Sequence, residues 1–116
     1  MRRDAAALAT AAAWRASAPV FAALGDTTRL RVVARLCAEG PLSIARLAEG
    51  SKVSRQAVAK HLRVLEDAGV VTGTRRGRES RWQLAPRGLD DARRALDLIS
   101  REWDATLGRL RAFVER

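Results

Sequence analysis

The residues of this chain best suited to chemistry lie in one stretch, VSRQAVAKHLRVLEDAGVV, at positions 53 to 71. Each residue of a helix turns by about 100°, which would gather Val58, Leu62 and Leu65 on one side. The side chains that would then point away from this apolar side are those of Gln56, Lys60 and Arg63. Lysine and arginine can donate to guanine O6 and N7, and glutamine can pair with adenine N6 and N7. The pattern therefore predicts a helix able to hydrogen-bond to base edges in a DNA major groove.

The first turn of this predicted helix adds further groups of the same kind. Ser54 is a good N-cap, and together with the free amides of the helix start it suits a phosphate group. Arg55 can donate to guanine, and the small side chain of Ala57 leaves room for a thymine methyl group. We expect His61, which borders the apolar and polar sides, either to pack or to contact a phosphate. Taken alone, such a face is as typical of a solvated helix as of a DNA reader.

Neighbouring elements must hold this helix in place. Ser43 is predicted to cap a short helix, IARLAEG, that ends at Gly50. Two helices joined by a turn of three or four residues form a helix-turn-helix. Residues 70 to 76 and 79 to 84 then read as two strands of a hairpin, or wing, with its tip at Gly77. The arginines of this wing are expected to follow the DNA backbone or a minor groove: Arg75, Arg76, Arg78 and Arg81.

Two helices and, between them, a short helical turn broken by Gly25 are predicted ahead of this unit. Residues 4 to 17 are strong helix formers, and Ser17 and Pro19 are expected to end that helix. Asp26 is predicted to cap a second helix. The apolar stripe of that second helix would consist of Leu30, Val33, Leu36 and Cys37. We interpret Cys37 as a buried core thiol rather than a metal or redox sensor, because a free cysteine is usually a small hydrophobe.

The chain closes with a predicted helix from Arg87 to the end, in which apolar or small residues recur in steps of three and four. Such a repeat brings helices together side by side. A helix of this length extends about 40 Å, further than so small a domain needs to be covered, so we expect a partner helix to cover the rest. The predicted dimer interface joins this helix to the first one through Leu8, Trp14, Leu96, Ile99, Trp103, Leu107, Leu110, Phe113 and Val114.

Charge and composition narrow the class of protein. Lys and Arg number 22 against 13 Asp and Glu, a formal charge of +9, and residues 43 to 83 hold nine cations against four acids. The excess therefore coincides with the predicted DNA-facing elements and favours double-stranded DNA as the partner. One cysteine excludes an intramolecular disulfide, and one histidine argues against a zinc site built by one chain. We expect a cytoplasmic protein with no membrane span, no export signal, no metal and no other cofactor.

Three segments resemble the ArsR (arsenic-repressor-like) family of bacterial winged helix-turn-helix repressors. They are FAALGDTTRLRVVARL at 21 to 36, LSIARLAEGSKVSRQAVAKHLRVLEDAGVV at 42 to 71 and TRRGRESRWQL at 74 to 84. The expected fold is mainly α with a small β-hairpin, a winged helix-turn-helix in one domain of residues 1–116. Residues 1–18 would form one dimerisation helix, 19–85 the winged core and 86–116 the second dimerisation helix.

The resemblance implies a homodimer that packs through its first and last helices, binds a palindromic promoter site and represses transcription. Thr27 stands where Pro is common, a mild change because Thr tolerates a helix start. Arg55 and Ala59 stand where family members often have Gln and then Ser, so no relative's operator sequence transfers to this chain. Many members sense metals through cysteines on the recognition helix or His and Asp on the final helix. This chain has neither set. If the protein has a small-molecule effector, we expect its site at the dimer interface, and the sequence does not identify the molecule.

The sequence also bears on two other classes of function. The chain offers no nucleophile–base pair and no phosphate-binding glycine loop, so we do not expect an enzyme. A winged helix can also serve as a protein-interaction module. The salt dependence of binding distinguishes that alternative from DNA binding, because the affinity of a protein for DNA falls steeply as the salt concentration rises.

Overall fold

The computed structural model describes residues 2–115, with the side chains of residues 2–4, 6, 7, 9, 10 and 76 outside the description. The elements follow in the order α1 (Arg2–Leu24), α2 (Thr27–Glu39), β1 (Leu42–Ser43), α3 (Ile44–Ala48), α4 (Arg55–Asp67), β2 (Val71–Arg76), β3 (Glu79–Leu84) and α5 (Asp90–Val114). The predicted fold class, mainly α with a small β-hairpin, is confirmed. No helix in the described range is both long and apolar enough to cross a bilayer.

The chain divides into two compact units. One comprises residues 18–89 and holds α2, α3, α4 and the sheet; the other comprises the described parts of residues 1–17 and 90–116. In the first unit, α4 turns Val58, Leu62 and Leu65 inward, and the last two are fully buried. The predicted inward face of this helix is confirmed, because burying three large apolar side chains on one stripe fixes the rotation of a helix about its axis.

The inward face of α2 differs from the predicted one. Val32, Val33 and Leu36 are buried, whereas Leu30 is 51% exposed and Cys37 is exposed. The interpretation of Cys37 as a buried thiol is therefore wrong. Val33 and Leu36 fit either rotation of the helix, and tertiary packing selected the one that turns Val32 inward and leaves positions 30 and 37 outside.

The predicted end of the first helix at Ser17 and Pro19 is also wrong. α1 continues through Pro19 to Leu24, although proline has no N–H to donate and strains the preceding turn. Ser17 is fully buried, and its Oγ donates to the carbonyl oxygen of Asp91 at 2.9 Å. Local propensity favoured a break here, and tertiary contacts overrode it.

The wing forms as predicted, and a third strand joins it. The antiparallel sheet has the order β1-β3-β2, with Arg76 opposite Glu79 beside the turn and Leu42 of β1 opposite Trp82. Gly77 has φ +61 at the tip, a conformation that favours glycine. The strand β1 was not predicted, because two residues carry no periodicity and pair only with a distant partner.

The closing helix α5 begins at Asp90, three residues later than the predicted start at Arg87. A turn precedes it, in which the Gly88 amide donates to the Ala85 carbonyl at 3.0 Å. In α5 only the small residues Ala92 and Ala95 are buried. Leu98 and Ile99 are half-buried. The other large apolar residues of the same helix stay exposed: Leu96, Trp103, Leu107, Leu110, Phe113 and Val114.

Candidate nucleic-acid interface

Two serine caps and a tight turn shape the helix-turn-helix. Ser43 Oγ accepts from the Arg46 amide at 3.2 Å, and Ser54 Oγ accepts from the Ala57 amide at 3.1 Å. Both predicted N-caps are confirmed, and so is the cap of α2, where Asp26 Oδ2 accepts from the Arg29 amide at 3.0 Å. Between α3 and α4, Ser51 Oγ accepts from the Val53 amide, which rigidifies the turn.

A brace from α2 holds the end of α3. Arg35 Nη1 donates to the carbonyl oxygens of Arg46 at 2.8 Å and Leu47 at 3.3 Å. Its Nε donates to Glu39 Oε2 at 2.9 Å, and this hydrogen bond lowers the pKa of the Glu39 carboxyl. The guanidinium therefore adds a donor to two carbonyls at the end of α3, where a helix has few backbone donors to offer. This contact was not predicted from the sequence, although the spacing of Arg35 and Glu39 is that of an i,i+4 ion pair.

The outer face of α4 carries the polar groups that the sequence predicts there. Arg55, Gln56, Lys60 and Arg63 are exposed, and Ala57 is half-buried. Within residues 2–115, none of the ion pairs includes Arg55, Lys60 or Arg63. These cations are therefore available to an outside partner.

The N-terminus of α4 is open to an acceptor. Ser54 Oγ uses a lone pair on the Ala57 amide, which leaves its hydroxyl hydrogen free to donate. The first backbone bond of the helix runs from the Val58 amide to the Ser54 carbonyl at 3.0 Å. The amides of Arg55 and Gln56 precede that bond, and amides at this position lack a partner inside the helix.

An open cleft of about 530 Å³ lies between α3 and the start of α4. It is lined by Ala45, Arg46, Ala48, Glu49, Val53, Ser54 and Arg55. Arg46 is exposed and pairs with Glu49 at 3.3 Å, and Lys52 is exposed in the turn. Both cations contribute to the positive charge of residues 43 to 83, but neither was predicted to lie in the interface. The positions of Arg46 and Arg55 in the sequence do not reveal that α3 brings Arg46 to the same cleft as Arg55.

His61 faces the start of α2 rather than open solvent. Its Nδ1 lies 3.4 Å from Arg29 Nη1 and 3.9 Å from Asp26 Oδ2, and the side chain is 24% exposed. Of the two roles predicted for His61, packing agrees with this position. A phosphate contact stays a prediction.

The wing distributes its arginines over two faces. Thr74 pairs with Arg81 and Arg75 pairs with Ser80, so alternation along the strands places Arg75 and Arg81 on opposite sides of the sheet. Arg78 is exposed at the turn, and Arg81 Nη2 lies 3.5 Å from Glu79 Oε2. The side chain of Arg76 is outside the described part of the structure.

Known proteins share this arrangement. A profile described as a helix-turn-helix domain matches residues 24–74. The HTH-type transcriptional regulator Rv2034 of Mycobacterium tuberculosis is 42% identical over 84 residues, which cover 72% of this chain and 78% of that protein. An ArsR-like transcriptional regulator from Rhodococcus sp. RHA1 superposes with a TM-score of 0.73 at 37% identity, covering 86% of this chain and 93% of that one. The chain belongs to the ArsR family.

This ArsR-family chain is thus a transcriptional regulator with a helix-turn-helix DNA-binding domain, and the resemblance found in its sequence is confirmed. The homodimeric winged helix-turn-helix DNA-binding domain of a protein from Mycobacterium bovis is also similar. It has a TM-score of 0.60 at 26% identity and covers 81% of this chain and 83% of that one. The predicted winged helix-turn-helix fold agrees with both solved structures.

A second surface of the ArsR-family regulator is apolar. In the unit made of residues 1–17 and 90–116, Leu8 is 65% exposed, Trp14 44%, Trp103 62% and Phe113 75%. The remaining large apolar residues of the predicted dimer interface are also exposed, except Ile99, which is half-buried. Large apolar side chains that stay exposed at regular spacing along a helix are typical of an interaction surface.

The described part of the regulator contains no group of three or more His, Cys, Asp or Glu side chains placed to hold a metal ion. His61 and Cys37, the residues of most interest for such a site, lie on different helices, α4 and α2.

Proposed function

We propose that this ArsR-family regulator is a homodimeric repressor that binds palindromic operator DNA through α4 and the wing. The observation that carries the proposal is the division of α4 into two faces. Val58, Leu62 and Leu65 are buried on one side. The opposite side presents the exposed side chain of Gln56 and three exposed cations that make no ion pair within the described residues: Arg55, Lys60 and Arg63. Such a helix is held rigidly by its apolar side while its polar side is free to enter a major groove.

Each outward side chain of α4 has a chemical use at a base edge. Arg55 and Lys60 can donate to guanine, Gln56 can pair with adenine, and Ala57 leaves space for a thymine methyl group. Ser54 and the open amides beside it can donate to a phosphate and so fix the depth of the helix in the groove. Arg63 and His61 complete the set proposed to lie at the DNA.

The wing supplies contacts that do not depend on base sequence. Arg75 and Arg78 are exposed and have no ion-pair partner in the described residues, so their charges are free to neutralise phosphates. Arg81 shares its charge with Glu79, and Arg76 completes the basic tip. Phosphate contacts of this kind position a protein on the duplex without specifying sequence.

The exposed apolar residues of α1 and α5 support the dimer. A second copy that covers Trp103, Leu107 and Leu110 would remove large apolar side chains from water. The two-fold pair would present two copies of α4 to successive major grooves about 34 Å apart, which matches a palindromic site. The homodimeric neighbour from Mycobacterium bovis supports the same assembly.

Occupation of promoter DNA would itself repress transcription, in the cytoplasm and without catalysis. An effector bound at the helical dimer interface would act by changing the angle between subunits and hence the spacing of the two α4 helices.

Salt dependence tests the proposal against a protein-interaction module. We expect the logarithm of the affinity for a duplex to fall linearly with the logarithm of the salt concentration between about 50 and 200 mM. Replacing Arg75 and Arg78 with alanine should reduce that slope by about four, because the two-fold pair loses four phosphate contacts and each contributes about one. Fluorescence anisotropy of a labelled duplex measures both values.

A matched control removes two cations elsewhere. Arg94 and Arg101 are exposed on the side of α5 opposite its apolar residues, and their replacement with alanine should leave the slope unchanged. Duplex binding that is absent, or indifferent to salt, would favour the interaction module.

A further inference from the structure

A pocket of about 220 Å³ lies among α2, the end of α3, the turn that follows it and α4. Its apolar floor takes one buried side chain from each of the three helices: Val32, Leu47 and Val58. The residues that line it all belong to the unit of residues 18–89. The pocket therefore shares no residue with the exposed apolar surface of α1 and α5, and it touches every element of the helix-turn-helix.

One face of α2 supplies most of the polar lining. Thr28, Arg31 and Arg35 line the pocket together with Val32, a spacing of three and four residues that places them side by side on the helix. Ser51 lines it from the turn. The Ser51 Oγ accepts from the amide of the second residue after it at 2.9 Å, which leaves its hydroxyl hydrogen free to donate. Charged and neutral donors thus surround the apolar floor.

The charge at the pocket is positive. Within residues 2–115, none of the ion pairs includes Arg31, and Arg35 pairs with Glu39 alone. Arg35 uses its Nε and Nη1 in the brace to Glu39 and α3, and its Nη2 has no partner among the described contacts. One acid, Glu49, also lines the pocket, and its carboxylate pairs with Arg46 at 3.3 Å. An anion there would meet two cations and one carboxylate whose charge is already shared.

The size and the lining of the pocket define the class of ligand. Sites for drug-sized molecules have volumes of about 300–1,000 Å³, so this pocket suits a smaller molecule. A guanidinium binds a carboxylate through parallel hydrogen bonds, and the apolar floor favours an apolar body. We propose that the pocket binds a small carboxylic acid. Its carboxylate lies against Arg31 and Arg35, and its apolar body covers Val32, Leu47 and Val58.

This inference goes beyond the proposed function and does not depend on it. The site is read out by binding of an acid to the free protein, without DNA. A chain that fails to bind an operator would still bind the acid, and a chain that fails to bind the acid would still bind an operator. The two failures are therefore distinguishable.

Benzoate is the probe for this site, because it joins a carboxylate to a small apolar ring. It is titrated into the full ¹⁵N-labelled chain at constant ionic strength and neutral pH, and ¹H–¹⁵N spectra record the backbone amides. We expect saturable shifts that are half complete at about 1 mM, the weak affinity of so small a ligand. The largest shifts should fall on amides of the lining: Leu47, Gly50, Ser51 and Val58.

Two further probes separate the parts of the ligand. Benzamide has nearly the shape of benzoate without its charge, and inorganic phosphate has negative charge without a ring. Each should bind about tenfold more weakly than benzoate, because benzamide loses the charge-assisted hydrogen bonds and phosphate leaves the apolar floor uncovered.

The variant Arg31→Gln tests the guanidinium. Arg31 is exposed, so the fold should persist, and the affinity for benzoate should fall about tenfold. The matched control Arg94→Gln also removes one exposed arginine, from α5, and should bind benzoate like the natural chain. The amide spectrum of each variant reports its fold.

Benzoate shifts that are absent from the lining amides, or confined to α1 and α5, would overturn the proposal. Equal binding of benzamide and benzoate would overturn it as well. Equal affinity for phosphate, or equal losses in Arg31→Gln and Arg94→Gln, would reveal a general attraction of anions to a basic protein and would also overturn the site.

Discussion

Replacing Arg55, Gln56 and Lys60 together with alanine is expected to abolish sequence-specific DNA binding while the fold persists. Each good pairing with a base edge discriminates by about 1–3 kcal/mol, so losing three should weaken operator binding more than about 100-fold. All three side chains are exposed, and Val58, Leu62 and Leu65, which hold α4, are untouched. Titration of a selected operator duplex measures the loss, and circular dichroism checks the fold.

The matched control for this triple variant is Arg94→Ala with Arg101→Ala. It also removes two positive charges, as the triple variant does, but from an exposed part of α5. We expect the control to retain the preference for operator over random duplex. Equal losses in the two variants would mean that net charge rather than the face of α4 determines binding, and would contradict the assignment of the recognition helix.

The second large effect is expected from Leu107→Glu with Leu110→Glu. Both side chains are more than half exposed in the single chain, so the substitutions should not disturb its own core. Burying two carboxylates in a dimer interface without partners is costly, so the variant should be monomeric. Light scattering at a fixed protein concentration measures the mass, and operator affinity should fall because a monomer contacts only one half-site.

The same helix provides the control for charge. Ala105 and Ala112 are exposed on the side of α5 opposite Leu107 and Leu110. Ala105→Glu with Ala112→Glu adds the same two negative charges and should leave the dimer intact. A dimer that survives in the leucine variant, or dissociates in both, would place the interface elsewhere.

The sequence allowed the helix-turn-helix and the wing to be predicted closely, because local signals agree with tertiary packing there. Ser43 and Ser54 are strong caps, and the apolar spacing of Val58, Leu62 and Leu65 matches a single buried stripe. The strand β1 and the contact between Arg29 and His61 could not be predicted in this way. Both depend on residues distant in sequence, whose meeting no local periodicity encodes.

The wrong predictions have a common physical origin. Pro19 is a helix breaker by propensity, and the position of Cys37 fits an apolar stripe. In each case packing selected an alternative that local signals disfavoured or left equally open: α1 continues through the proline, and α2 turns Val32 inward instead of Cys37. Where two rotations of a helix bury similar numbers of apolar residues, only the neighbouring elements decide between them.

The central claim is that a two-fold pair displays α4 in register with B-form DNA, and selection of bound fragments tests it most directly. Purified full-length chain is mixed with fragments of the source genome at physiological ionic strength, and the retained DNA is sequenced. We expect enrichment of an inverted repeat whose half-site centres lie about 10–10.5 base pairs apart. Retention without sequence enrichment, or enrichment of a lone half-site with no symmetric mate, would contradict the claim.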